Sequence, residues 1–165
     1  MPPKAEARIP FGWSIRRASN DDIPAIRAVL HGVRSEYGVL SEIGANDPEL
    51  DDLEINYFRG GGCFEVVVGA AQRVVGCAGL RPLNPCRAEL GKMYIEKAAR
   101  GHGLGRRLLE DLLAAARRGG FQEVWLETNS GLAEAIALYR KYGFLPVESD
   151  PHLPECDVAY LLRLA

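Results

Sequence analysis

The stretch Arg100-Gly101-His102-Gly103-Leu104-Gly105 carries the first sign of chemistry in this chain of 165 residues. Upstream, Ala88 to Ile95 reads as a strand. Downstream, Leu104, Leu108, Leu109, Leu112, Leu113 and Ala116 recur at helical spacing, with Arg106, Arg107, Glu110, Asp111, Arg117 and Arg118 between them. A strand, a glycine-rich turn and a helix N-terminus together make an anion site. Glycines admit close backbone approach, the first N–H groups of a helix lack internal acceptors, and the helix dipole adds positive potential. Between residues 97 and 118, six Lys/Arg face two Asp/Glu, although the whole chain carries a net charge of −2. Arg100, Arg106 and Arg107 sit where they would reinforce the loop, whereas Arg117 and Arg118 suit the helix C-terminus.

Two common phosphate loops fit poorly. A Walker A loop needs Gly-Lys-Ser/Thr, and no Lys-Ser/Thr pair follows Gly105. The dinucleotide fingerprint needs G-x-G-x-x-G inside a βαβ unit, whereas Gly101, Gly103 and Gly105 fall at every second position. What remains, Arg-x-x-Gly-x-Gly after a strand carrying Glu89, resembles the pyrophosphate loop of the GNAT family, the Gcn5-related N-acetyltransferases. Val124-Trp125-Leu126-Glu127-Thr128 is similar to the strand after that family's central helix. Ala135 to Phe144 is similar to its Ala-x-x-Leu-Tyr-x-x-x-Gly-Phe segment. Ile15 to Ala18 with Asp21 and Asp22, and Val74 to Leu80, resemble its first strand and helix start and its third strand. The resemblance spans residues 13 to 164 and is strongest from 88 to 146.

The resemblance implies acetyl-CoA as co-substrate, with its pyrophosphate on the backbone of Gly101, His102, Gly103, Leu104, Gly105 and Arg106 and with Arg100 adding charge. The pantetheine arm would pair with Met93, Tyr94 and Ile95. Gly91, inside that strand, is a natural place for a bulge. Acyl transfer to nitrogen needs a neutral amine, and a carboxylate, acting directly or through water, can take its proton. Glu89 matches the catalytic glutamate of histone-type members; Glu127, at the end of the neighbouring strand, is the second candidate, and a water chain is the third. Tyr139 matches the family's general acid, which protonates the departing thiolate. Many members carry Asn seven residues earlier, where this chain has Leu132; Asn129 lies nearby. The expected reaction is N-acetylation by direct attack in a ternary complex. Glu89 and Tyr139 together favour this over a non-catalytic acyl-CoA-binding or interaction domain on the same fold, because a pure binder needs only the loop.

Patterning supplies the elements that must hold these residues. Strands are expected near 14–18, 63–68, 73–80, 88–95, 123–128, 144–148 and 156–163, and helices near 22–34, 47–58, 104–118 and 132–142. Asn20 or Asp21 would cap the first helix, and Asn46 or Asp47 the second. The fold class is α/β (α+β): a mixed, mainly antiparallel sheet of six to seven strands flanked by about four helices.

The length suits one domain, 13–165, after a loose tail over 1–12. No apolar run approaches a membrane span, and residues 1–12 lack a signal-peptide core, so no membrane partner is expected. A slightly acidic chain argues against nucleic acid as a partner. Cys63, Cys77, Cys86 and Cys156 show no metal-ligand spacing; free thiols, a cytoplasmic location and no metal are expected, and a homodimer is left open. The acceptor is less legible. Seven acids and no bases lie between Glu36 and Glu54, which suits either an acidic rim that steers a cationic amine or a solvated helix face. His152, Cys156 and Asp157 could border the same site.

Overall fold

The computed structural model describes residues 8–38, 47–148 and 156–165. Alternating apolar residues in Ser14–Arg17 (β1), Cys63–Val68 (β2), Val74–Pro82 (β3), Arg87–Ile95 (β4), Glu123–Thr128 (β5), Leu145–Val147 (β6) and Val158–Arg163 (β7) build one seven-stranded sheet. Its order is β1-β2-β3-β4-β5-β7-β6, and every neighbouring pair is antiparallel except β4 with β5. That parallel pairing needs a crossover, which Leu104–Arg118 (α2) supplies. Ile23–Glu36 (α1) and Ala133–Lys141 (α3) complete three α-helices among the described residues.

The helices divide the core into two. On one side Leu104, Leu108, Leu109, Leu112, Leu113 and Ala116 of α2, all buried as their spacing predicts, pack on Val67, Leu80, Leu90 and Val124. On the other, Ile26, Val29, Leu30 and Val33 of α1 pack on Phe64, Val66, Val68 and Cys77. Ile9, within the stretch expected as a tail, packs against the α2-side core.

The helix expected over 47–58 is broken. A 3-10 turn at Pro48–Leu50 is followed by a π turn at Glu54–Phe58. Leu50, Leu53 and Tyr57 still bury one apolar face. The break follows from polar demands at both ends. Asp47 is drawn inward onto cations, and the Asp52 carboxylate accepts the Ile55 amide at 3.1 Å, restarting the turn. The expected cap at Asn20 or Asp21 also moves. The Asp22 carboxylate accepts the Ser19 amide at 2.9 Å, while Asn20 accepts the Leu53 amide at 2.8 Å and so ties the broken segment to the start of α1.

Strands β4 and β5 pair only where Arg87, Ala88 and Glu89 face Glu123, Val124 and Trp125. Beyond that point they part: β5 stays with β7 as far as Thr128, and β4 from Leu90 to Ile95 has no strand on that side among the described residues. The sheet is therefore split from its middle.

Candidate active site

The split holds a groove of about 370 Å³, lined by Met93, Tyr94 and Ile95 of β4 on one wall and by Leu132, Leu138 and Tyr139 on the other. The glycine loop closes one end. Gly101 and Gly103 take φ of +80° and +77°, left-handed values that side chains with a Cβ adopt at a cost. This turns the amides of Gly101, His102, Gly103, Leu104 and Gly105 outward, and none of them meets an acceptor among the described residues. Gly105 lines the groove, and a Cβ there would lie 3.4 Å from Ile95 Cδ1 and 3.6 Å from Met93 Cε. Five outward amides at the start of a 15-residue helix form a site for an anion.

The charged side chains of the loop have partners within the protein, and Arg100 also lines the groove. Arg100 donates to Glu36 at 2.5 and 2.9 Å and to the Ile95 carbonyl at 2.8 Å, pinning the end of α1 to the loop. Arg106 donates to Glu110 at 2.9 Å and to the Tyr142 hydroxyl at 3.0 Å, and Arg107 pairs with Asp111 at 3.0 Å. The electropositive part of the loop is its backbone. His102 turns its Nδ1 toward the Ala99 carbonyl at 3.2 Å and its ring toward Trp13, while Leu104 is buried in the core.

Tyr139 is 5% exposed, and among the described residues its hydroxyl reaches only Met93 Sδ, at 3.8 Å. Burial pushes its pKa up, so the phenol stays protonated well above neutral pH. Leu132 stands in the groove wall, and Asn129, whose Oδ1 accepts the Gly131 amide at 2.8 Å, lines a small adjoining cavity.

At the point where the strands part lies a smaller cavity of about 60 Å³, and Tyr94 is shared between its lining and that of the groove. Glu89 and Glu127 both border it, as does Cys156. Arg81 holds Glu89 with a 3.0 Å hydrogen bond. His152, grouped with Cys156 in the sequence reading, lies outside the described residues, and Asp157 instead accepts the Ser130 amide at 2.7 Å.

The described acids between Glu36 and Glu54 divide: Asp51 and Glu54 stay on a solvated face, each beside an arginine, while Asp47 and Glu49 turn inward. Glu36 is taken by Arg100, Asp51 by Arg27 at 2.8 Å, Glu54 by Arg17 at 3.6 Å, and Asp52 by the Ile55 amide. Asp47 and Glu49 enter a buried network that sequence reasoning missed. Arg34 donates to Asp47 at 2.8 and 3.0 Å, and the Lys92 ammonium lies 2.7 Å from Asp47 and 2.6 Å from Glu49. Burial opposes ionisation of Asp47, but the hydrogen bonds from Arg34 and Lys92 outweigh it and hold the carboxyl below its ordinary value. The available signal was Lys92 itself, a lysine within a strand of otherwise buried or bordering residues. Glu42 lies outside the described residues.

Comparison with known proteins agrees with this geometry. Residues 30–144 match the Acetyltransferase (GNAT) family model. The uncharacterized N-acetyltransferase YjgM of Escherichia coli K12 is 40% identical over 159 residues, covering 91% of this chain and 94% of that protein. A GNAT-family acetyltransferase from Staphylococcus aureus Mu50 superposes with a TM-score of 0.84 at 21% identity, over 93% of this chain and 99% of that one. The PaiA N-acetyltransferase of Thermoplasma acidophilum, solved in complex with coenzyme A, superposes with a TM-score of 0.71 at 17% identity, over 92% and 99%. At such identities the solved structures speak to the fold, a seven-stranded, mostly antiparallel open sheet. The family match across the loop, the split strands and the Tyr139 segment, together with a relative alike over nearly its whole length, makes this chain an acyltransferase of the GNAT N-acetyltransferase family.

Proposed function

We propose that the protein transfers the acetyl group of acetyl-CoA to a primary amine by direct attack within a ternary complex. One observation carries this reading: an outward crescent of loop amides, an unpaired strand edge and two carboxylates converge on the split between β4 and β5. The residues suit the co-substrate. Amides of 101–105 at a helix N-terminus match a pyrophosphate, and the free edge of Met93, Tyr94 and Ile95 matches an amide-bearing arm that adds itself like a strand. Acetyl-CoA supplies an activated thioester carbonyl.

Glu89 takes the proton of the attacking amine from the small cavity; Glu127, on the same cavity, is the alternative base. Arg81 orients Glu89 through its 3.0 Å contact. Tyr139 gives its proton to the departing sulfur, a role supported by its position in the groove wall and by a phenol that burial keeps protonated. Anion binding falls to the loop backbone, because the Arg100 and Arg106 guanidinium groups are engaged by Glu36, Glu110 and Tyr142. The four cysteines form no disulfide with one another, which suits a reducing, cytoplasmic setting.

Calorimetric titration with acetyl-CoA, followed by thiol-release assays across small amines, amino acids and peptides, tests the reading. Acetyl-CoA binding with amine-dependent thiol release is expected. Thiol release that no amine accelerates would remove the amine acceptor from the proposal.

A further inference from the structure

Strand β4 is irregular beside the groove. Gly79 of β3 faces Gly91 and Cys77 faces Tyr94, so Lys92 and Met93 together oppose the single residue Ala78. This is a β-bulge, and Lys92 within it takes a left-handed φ of +53°, uncommon for a residue with a Cβ. The extra residue shifts the phase of alternation. Ala88 and Leu90 pack on the α2 side before the bulge, and Met93 and Ile95 pack there after it, while Tyr94 packs on the α1 side. Glu89 and Tyr94 would look to opposite faces of a regular strand. Here both line the same cavity.

Side chains hold this irregularity in place. The Lys92 side chain is 7% exposed, and its ammonium sits between Asp47 and Glu49 at 2.7 and 2.6 Å. The buried Cys77 thiol donates to the Lys92 carbonyl at 3.1 Å. Arg34 on α1 fixes Asp47 from the other side at 2.8 and 3.0 Å. Burial opposes the charge on Lys92, yet Glu49 and Asp47 overcome it and keep the ammonium charged. The network thus joins α1, the broken segment and the bulge.

We infer that Lys92 is a positioning residue: its ammonium, clamped by Asp47 and Glu49, holds the bulge that turns Glu89 and Tyr94 onto one cavity and presents the Met93–Ile95 backbone to the acyl arm. The last part rests on the acetyl-CoA reading above; the first does not. Lys92 borders the small cavity, but the role assigned to it is indirect. It sets the strand that carries Glu89 and Tyr94.

Lys92→Met tests this, with Lys92→Met/Glu49→Gln beside it, since the single change leaves a buried carboxylate short of its cation and could prevent folding. Each variant is titrated with acetyl-CoA and with ADP 3′-phosphate, the nucleotide fragment that lacks the acyl arm. Acetyl-CoA should bind at least about tenfold more weakly while the fragment, held by the loop amides, stays within about twofold of wild type. Lys92→Arg keeps a cation between the carboxylates and should recover most of the lost affinity. Equal loss for both ligands, or loss for neither, overturns the inference. Amide exchange in the ligand-free protein reads the bulge by itself. Protection across residues 90–95 should fall in the double variant and return in Lys92→Arg, and unchanged protection also overturns it. If the wild-type protein binds neither ligand, the co-substrate reading falls, and exchange still decides the bulge.

Discussion

The groove and the small cavity beside it are built by different physics. The groove, the proposed cofactor side, draws mainly on two stretches, Met93 to Gly105 and Gly131 to Tyr139, with Val33 and Tyr37 of α1 beside them, and its glycine loop offers backbone amides. The small cavity, the proposed acceptor side, and the network beside it gather Arg34, Asp47, Glu49, Arg81, Glu89, Lys92 and Glu127 from five separate parts of the chain. Their order depends on ion pairs, of which Arg34–Asp47 and Lys92–Asp47 are buried. A phosphate-bearing ligand can be met with groups that every residue owns, so the main requirements are φ values and a helix start. A pocket lined with charges must neutralise each one within the protein, and every charge therefore needs a partner at a fixed distance. The loop should tolerate changes of side chain outside its glycines, whereas the cavity network should be sensitive to single charges.

The sharpest break in that contrast is expected at Glu89. Glu89→Gln should lower turnover by about 10²–10⁴ at neutral pH and recover in part at high pH, where free amine accumulates. Glu127→Gln measured in parallel decides the base: if Glu127→Gln alone behaves this way, the role moves to that carboxylate. Next comes Asp47→Ala, which removes the carboxylate shared by Arg34 and Lys92 and should destabilise the fold by about 3–5 kcal/mol. Because the folded state holds the Asp47 carboxyl below its ordinary value, this stabilisation is present above the unfolded pKa and is lost as pH falls through the folded one. Urea midpoints of wild type and variant should therefore converge in acid; a constant gap would show that Asp47 acts through packing.

Tyr139→Phe acts within the groove. Its hydroxyl meets only a weak sulfur acceptor at 3.8 Å among the described residues, so stability should change by less than about 1 kcal/mol. Turnover should fall roughly ten- to thousandfold with acetyl-CoA affinity kept, because the interaction strengthens as charge develops on sulfur. A variant with full kcat makes Tyr139 a packing residue. On the loop, Gly103→Val forces a β-branched side chain to φ +77° and should weaken acetyl-CoA binding at least about tenfold in calorimetry. Unchanged affinity in a folded variant would remove the amide crescent from the proposal.

The smallest effect concerns Glu65, a partly exposed carboxyl of β2 beside α2, away from the groove. Burial, with the nearby Asp111, pushes the Glu65 carboxyl up to about 7, and its Oε2 has no hydrogen-bond partner among the described residues. A raised folded pKa means that the folded state binds the extra proton, so stability declines as pH rises from about 4.5 to about 7. Glu65→Gln should match wild type near pH 4.5 and exceed it by about 1 kcal/mol above pH 7.5, a figure reduced for the solvent that reaches this partly exposed group. Equal denaturation midpoints at both pH values would show that Glu65 stays ionised.

Local spacing decided a large part of this protein. The α2 helix runs Leu104–Arg118, the span its leucine repeat predicts, and the strands Cys63–Val68 and Glu123–Thr128 match their expected limits. The glycine loop and its place between strand and helix were legible for the same reason, whereas Tyr139 was singled out by the resemblance of Ala135 to Phe144 to a GNAT segment. Side-chain period and turn chemistry act between neighbours, and a sequence records neighbours directly. The helix expected over 47–58 and the role of the acids around it were not legible. Their outcome hangs on Arg34 and Lys92, which reach Asp47 only after α1 and β4 have been laid on the same sheet. The bulge at Lys92 belongs to the same class, because Gly91 marked the neighbourhood while the left-handed residue is the one beside it, held by Asp47, Glu49 and Cys77. A charge in a sequence states its sign and not its partner. Pairing it inside a low-dielectric core is a tertiary event.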